Sequence, residues 1–255
     1  MRTRYVDIED RNKDLSERMR AWPELADDFL RKWEVSWLYH ENALEGVVYT
    51  SQELTLGLEN QLLADATFVG ALREIRNHKT ALDLARAEGK AKKVRLNVSL
   101  AKKLYETLGA GIEGRNVAEW RKDMPLHRSY FHDIALPPKI PVALQKVFDL
   151  CDSVDFRNAH PVQQAVKLQH GFMQVFPFTE NSGRVARLLS NLLLFQATDL
   201  PVIIHATDRQ RYYESLRQPE SALRELTLDA IDNGLSTAEK YFAAAEKSGG
   251  RKLAR

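Results

Sequence analysis

Apolar residues recur along the chain with the three-to-four-residue spacing of a helix face, and strict alternation is nearly absent. The spacing predicts amphipathic helices over roughly 8–39, 51–88, 99–108, 141–152, 161–174, 183–198 and 221–245. Strand-like alternation is confined to short pieces at 130–136 and 202–205. The fold class is therefore mainly α. Between two helices, EGKAKKVRLN (88–97) joins a glycine to Lys90, Lys92, Lys93 and Arg95. It suits an exposed connector, with a basic patch for an acidic partner as the rarer reading. Residues 116–141 carry few helix signals and end on Pro137, Pro138 and Pro141, so an irregular segment with a small hairpin is expected there. SGGRKLAR (248–255) is expected to be a disordered tail.

Charge narrows the function classes little. Lys and Arg number 37 against 35 Asp and Glu, so no bulk charge argues for nucleic acid or an anionic membrane, and a local site must carry function. A single cysteine, Cys151, excludes an internal disulfide and a Cys-rich zinc module. No apolar run approaches the roughly 18–20 residues of a membrane span, and the first residues lack a signal-peptide core. A cytoplasmic setting and no membrane contact are the expectations. Seven histidines show no zinc spacing, and no P-loop, GxGxxG or GxSxG pattern occurs.

One segment concentrates chemistry: Phe176, Pro177, Phe178, Thr179, Glu180, Asn181, Ser182, Gly183, Arg184, Val185, Ala186, Arg187, then LLSNLLLF. A polar turn here feeds a helix whose first N–H groups lack intrahelical partners and whose dipole favours an anion. Arg184 and Arg187, three apart, put two guanidinium groups on one side of that end, with Asn191 continuing the stripe. Paired guanidiniums suit phosphate oxygens, and Glu180 offers a carboxylate for a magnesium ion bridging phosphates. The same spacing equally fits a capped helix whose arginines pair with surface carboxylates.

The segment resembles the signature of the Fic (Fido-domain) family, His-x-Phe-x-Asp/Glu-Gly-Asn-Gly-Arg-x-x-Arg. The likeness runs through HPVQQAVKLQHGFMQVFPF and NLLLFQATDLPVIIHATDRQRYYESL, and covers roughly 100–245. It implies a helical core that binds ATP with magnesium and moves AMP to a hydroxyl of a target protein. Glu180 would hold the metal. Asn181, Ser182 and Gly183 would form the phosphate turn, Arg184 would grip phosphates and Arg187 would reach the γ-phosphate. Tyr212 and Tyr213 would lie near the nucleoside, and 120–138 would contain a β-hairpin flap that aligns the target.

Three departures stand against this. Phe176 replaces the histidine that takes the proton of the attacking hydroxyl, and Asn181 and Ser182 replace the family's Gly and Asn. A positioned general base is worth roughly 10²–10⁴ in rate, so weak or no transfer is expected even where binding survives. Nearer the N-terminus, Glu41-Asn42-Ala43-Leu44-Glu45-Gly46 matches the last two positions of the family's inhibitory pattern Ser/Thr-x-x-x-Glu-Gly/Asn. Glu45 would then pair with Arg187 and obstruct the γ-phosphate; the plain alternative is a helix that ends at Gly46. The division expected is a helical extension over 1–95, a Fic core over 96–247 and the tail over 248–255.

The leading function is a degenerate Fic protein that binds adenine nucleotide, regulatory rather than strongly catalytic, with an unidentified protein target or partner. One alternative is an active nucleotidyl or phosphoryl transferase with a non-standard base. Another is a helical interaction scaffold with a vestigial pocket. A homodimer is left open.

Overall fold

Pro23 divides the first long amphipathic stretch. A proline ring has no N–H to give and is tolerated in a helix's first turn, so the chain restarts there: α1 spans Arg2–Ala21 and α2 spans Pro23–Leu44. A Thr50/Glu53 capping box opens α3, Ser51–Leu58, and α4 follows at Ala66–Gly89. Asn97 caps α5, Val98–Leu108, by accepting from the Leu100 N–H. Next come α6, Ile140–Cys151, and α7, Val154–Asn158, which is capped by Ser153. The last four are α8, Pro161–Val175; α9, Ser182–Leu194; α10, Arg209–Ser215; and α11, Glu220–Lys247. This computed structural model describes residues 2–59, 66–91, 94–115, 117–125 and 133–247.

The antiparallel pair α8 and α9 is the centre of the molecule. Helices α4 and α5 pack on α9, while α6 and α11 pack on α8; α1 and α2 lie against α11, and α3 against α4. Every residue of α9 is buried. Val185, Leu188, Leu189 and Leu192 are fully enclosed, and the polar residues among them must find partners inside the protein. Asn191 does so by donating to the Arg187 carbonyl at 3.1 Å and accepting from the Val202 N–H at 2.7 Å.

Helix α1 is attached differently. Only Ile8 and Leu15 of its described side chains are buried. Arg4 instead reaches Asp229 at 2.7 Å and Asp232 at 2.5 Å on α11, and Arg11 reaches Glu239 at 2.8 Å.

The mainly α reading matches this architecture, with two corrections. No strand occurs among the described residues: 202–205 has no regular structure, and the Val202 N–H is taken by the Asn191 side chain. Of the expected flap hairpin, 126–132 lies outside the described residues; the segment after it is tied to a helix, not a strand, by Ala135 N–H donating to the Gln174 carbonyl at 3.0 Å. The expected tail, 248–255, also lies outside them. Helices α7 and α10, five and seven residues long, are too short to leave a periodic signal.

Candidate nucleotide site at the start of helix α9

Helix α8 stops at Phe176, whose backbone turns left-handed at φ 48°, ψ 65°. That region is costly for a bulky residue, and Arg121 holds the turn in place. Its Nε donates to the Phe176 carbonyl at 2.7 Å, its backbone N–H to the Pro177 carbonyl at 2.9 Å, and its Nη2 to the Ala135 carbonyl. Phe178 then plugs the core, stacked on Tyr105 at 4.3 Å between ring centres. The Ser182 hydroxyl accepts from the Phe178 N–H at 2.8 Å and donates back to the Phe178 carbonyl at 2.9 Å. Asn181 enters the helix at φ 59°, a left-handed position that asparagine tolerates better than most residues. Its Oδ1 accepts from Arg184 Nη1 at 2.7 Å.

The last turn of α2 lies across this helix start. Arg187, 2% exposed, donates from Nε to Glu41 Oε2 at 2.6 Å, and its Nη2 is 2.8 Å from Glu45 Oε1. Arg184 Nη2 donates to Asn42 Oδ1 at 2.7 Å. One helical turn therefore grips both arginines. The Glu45 carboxylate presses on Gly183 so closely that a Cβ there would fall 2.2 Å from Glu45 Oε1 and 3.0 Å from Arg187 Nη1. A larger residue there would have to push that carboxylate aside. Gly46, at φ 86°, ends α2, and the Leu44 carbonyl accepts from the Tyr213 hydroxyl at 2.6 Å and Arg209 Nε at 2.8 Å.

Burial and charge oppose each other here. Burial pushes the Glu41 carboxyl above its ordinary value, against the pull of Arg187. Burial also works against the Arg187 charge, but Glu41 and Glu45 overcome it and keep that guanidinium protonated far above neutral pH. Behind them His78, also buried, is held neutral by burial and by the charges of Arg184 and Arg187; its Nδ1 is 3.4 Å from Asn42 Nδ2. The Tyr212 ring lies under the Arg187 guanidinium at 5.6 Å, and its hydroxyl accepts from Gln169 Nε2 at 3.2 Å. Tyr213 packs instead beneath Arg209 at 5.0 Å.

Two donors remain. Among the described residues, Arg184 Nε and Arg187 Nη1 are buried without a hydrogen-bond partner. Unmet guanidinium donors beside a helix N-terminus fit the oxygens of a phosphate.

Magnesium fits less well. Glu180, the carboxylate expected to hold it, is half-exposed, and its Oε2 lies 2.5 Å from Arg115 Nε. The Asn181 oxygen is taken by Arg184 and the Ser182 hydroxyl by Phe178. Among the described residues no group of three His, Cys, Asp or Glu side chains could hold a metal ion. Arg115 and Glu180 instead face a cleft of about 810 Å³, with Tyr105, Trp120, Lys122 and Thr179 also on its walls.

The structure thus brings Glu45, Gly183, Arg184, Arg187 and Tyr212 to one place. Phe176 and Glu180 flank it, and Tyr213 supports the end of α2. Sequence reasoning did not assign roles to Glu41, Asn42, His78, Arg115 or Arg121. The four-residue interval between Glu41 and Glu45 puts both on one face and could have signalled a double contact; Arg115 and Arg121 lie in irregular backbone and leave no pattern.

Residues 95–194 match the model of the Fic/DOC family, and the signature loop and all of α9 fall inside the match. That stretch is a Fic/DOC-family domain. A protein adenylyltransferase Fic from Drosophila mojavensis is 28% identical over 189 residues, which is 71% of this chain and 35% of that protein. The chain spans about a third of the length of the curated relatives it matches. Among solved folds, a Fic-domain signalling protein from Bacteroides thetaiotaomicron superposes with a TM-score of 0.72 at 20% identity, over 99% of this chain and 98% of that one. Fic-1 from C. elegans superposes with a TM-score of 0.74 at 18% identity, over 97% of this chain and 73% of that one. Both superpositions extend through α1–α3 as well as the matched region. Among the described residues no helix is long and apolar enough to cross a membrane.

Proposed function

We propose that this Fic chain binds the phosphates of adenine nucleotide at the start of α9, that the last turn of α2 holds the site closed, and that transfer of AMP is weak or absent. The observation that carries the reading is the pair of buried, unmet donors, Arg184 Nε and Arg187 Nη1, beside Gly183. Arg187 is not free to receive a γ-phosphate while Glu41 and Glu45 hold it. Supporting the choice of nucleotide are relatives named protein adenylyltransferases.

Transfer of AMP requires a hydroxyl oxygen to attack the α-phosphorus as pyrophosphate leaves, and the hydroxyl proton must go to a base. At the family's base position stands Phe176, whose ring accepts no proton. The chain's part is then to bind and orient phosphates with Arg184 and the α9 N-terminus. A protein target would enter from the cleft beside Trp120 and Lys122.

Calorimetry with ATP and with AMP tests the reading. Glu45→Gly should tighten ATP more than AMP, since only ATP carries the phosphate that competes with the carboxylate. Incubation with labelled ATP should show no robust transfer by the wild type, and none by Glu45→Gly, because opening the site supplies no base. Phe176→His should raise labelling if the Asn181–Ser182 turn still aligns the phosphates. No binding of either nucleotide at millimolar concentration would discard the proposal.

A further inference from the structure

The Glu180 carboxylate is not an open metal ligand; it already has a cation. Arg115 Nε sits 2.5 Å from Glu180 Oε2, and Arg115 Nη1 sits 3.1 Å from Glu74 Oε1 on α4. Glu74 is fixed in turn, because the Tyr49 hydroxyl donates to its other oxygen at 3.0 Å. A guanidinium clamped between two carboxylates through two of its nitrogens is held in one orientation. Its Nη2 carries two further donors.

The backbone of Arg115 is also built in. The chain leaving α5 doubles back, with Ile112 N–H donating to the Gly109 carbonyl at 2.9 Å and Arg115 N–H to the Ile112 carbonyl at 3.1 Å. Arg115's own carbonyl lies so close to Gly109 that a Cβ there would meet it at 1.8 Å, and no other residue fits. Helix α4 braces the turn from the other side: Arg73 donates to the Gly111 carbonyl at 2.6 Å, and Asn77 to the carbonyls of Leu108 at 3.1 Å and Ala110 at 2.9 Å. The positive charge is thereby delivered to the signature loop, on the wall of the 810 Å³ cleft that Glu180 and Thr179 share.

We infer that Arg115 fills, at Glu180, the place of a divalent cation, so that this chain takes nucleotide phosphates without metal. Magnesium demands near-octahedral oxygen coordination and dehydrates reluctantly. The one carboxylate offered at the loop is already paired with Arg115 through Oε2, and among the described residues no group of three candidate ligands stands there to complete a site. A guanidinium needs no such shell and donates directly to phosphate oxygens. The inference rests on the proposed nucleotide site and adds the cation that serves it.

The test is ADP binding by calorimetry on the full chain carrying Glu45→Gly, which opens the site, once in EDTA and once with excess magnesium. Affinity in the two buffers should agree within about twofold. Adding Arg115→Gln should weaken ADP in EDTA by roughly 10- to 150-fold, the worth of a charge-assisted contact, and should create a magnesium dependence because Glu180 is freed. Arg115→Lys, which keeps the charge, should keep binding in EDTA. If the Arg115-intact protein binds ADP only with magnesium, the inference falls and the nucleotide site stands; if it binds ADP in neither buffer, the nucleotide site falls and takes the inference with it. Should Arg115→Gln fail to fold by circular dichroism, the two-buffer comparison on the intact residue still decides.

Discussion

Replacing Arg187 by methionine should be among the most damaging single changes in the molecule. Arg187 and Glu41 are each about 2% exposed, and the substitution leaves the Glu41 carboxylate enclosed without its 2.6 Å partner. Breaking one side of a buried ion pair costs about 3–5 kcal/mol. Glu45, at 16% side-chain exposure, can turn toward water and adds less. For a chain of this size each kcal/mol is worth about 2–4 °C, so the melting temperature should fall by roughly 6–20 °C. Adding Glu41→Leu removes the stranded charge and should recover most of the loss, to within about 1 kcal/mol of the wild type, since apolar replacement of a whole buried pair is often neutral or better.

The pH dependence of the single variant has a definite sign. Glu41 already titrates above the ordinary 4.5, chiefly through burial, and losing Arg187 removes the charge that opposes this. An acid whose folded pKa is raised is penalised on ionisation, so the deficit of Arg187→Met should grow as pH rises above about 4.5 and shrink as pH falls toward it. Urea unfolding of the wild type, both single variants and the double variant, at several pH values, measures all of this. A cost below about 1 kcal/mol for Arg187→Met, or a double variant no more stable than the single, would refute the argument that Glu41 is charged in place by Arg187.

Gly183→Ala should destabilise the protein by about 1–3 kcal/mol, an overpacking cost, because the new Cβ meets the Glu45 carboxylate at 2.2 Å. In a Glu45→Gly background the penalty should largely vanish; equal cost in both backgrounds, read by thermal melts, would mean the carboxylate does not sit on Gly183. Burial and the adjoining His205 depress His40 from 6.5 to about 4, so the unfolded chain takes the proton first. The stability this gives is whole above pH 6.5 and is lost as pH falls toward 4. His40→Gln should flatten the slope of urea midpoint against pH in that window, and unchanged slopes would count against it. Asn42→Ala should release Arg184 Nη2 and tighten ADP in calorimetry, by an amount smaller than Glu45→Gly because no carboxylate is removed; weaker binding would show that Asn42 orients Arg184 for the ligand.

The parts of this site legible in the sequence are those carried by a period or a motif. The apolar face of Val185, Leu188, Leu189 and Leu192 announced α9, and the arginines three apart placed two charges at its start. The expected partnership of Glu45 with Arg187 drew on a pattern whose earlier position calls for Ser or Thr. Glu41 stands at that earlier position and departs from the pattern, yet it lies one turn back on the same face and makes the shorter of the two contacts. Arg115 and Arg121 were illegible for a different reason. Their side chains act across the fold from backbone with no regular spacing, and what aims them is a turn closed against Gly109 for Arg115 and, for Arg121, the carbonyls of the left-handed Phe176 and of Val175 before it. The break at Pro23 was readable from residue chemistry, but the apolar pattern continues through it and masked the boundary.

The way α1 is fastened sets how the molecule opens. Its hold on α11 comes from Arg4 and Arg11 on a row of carboxylates more than from apolar area, since only Ile8 and Leu15 of its described side chains are buried. Added salt weakens such half-exposed pairs while leaving the enclosed α8–α9 centre untouched. Amide hydrogens of α1 should therefore exchange with deuterium well before those of α9, and the gap should widen with ionic strength. Because α1 runs through Trp22 straight into α2, each such opening frees the leading end of the helix whose other end carries Glu41 and Glu45.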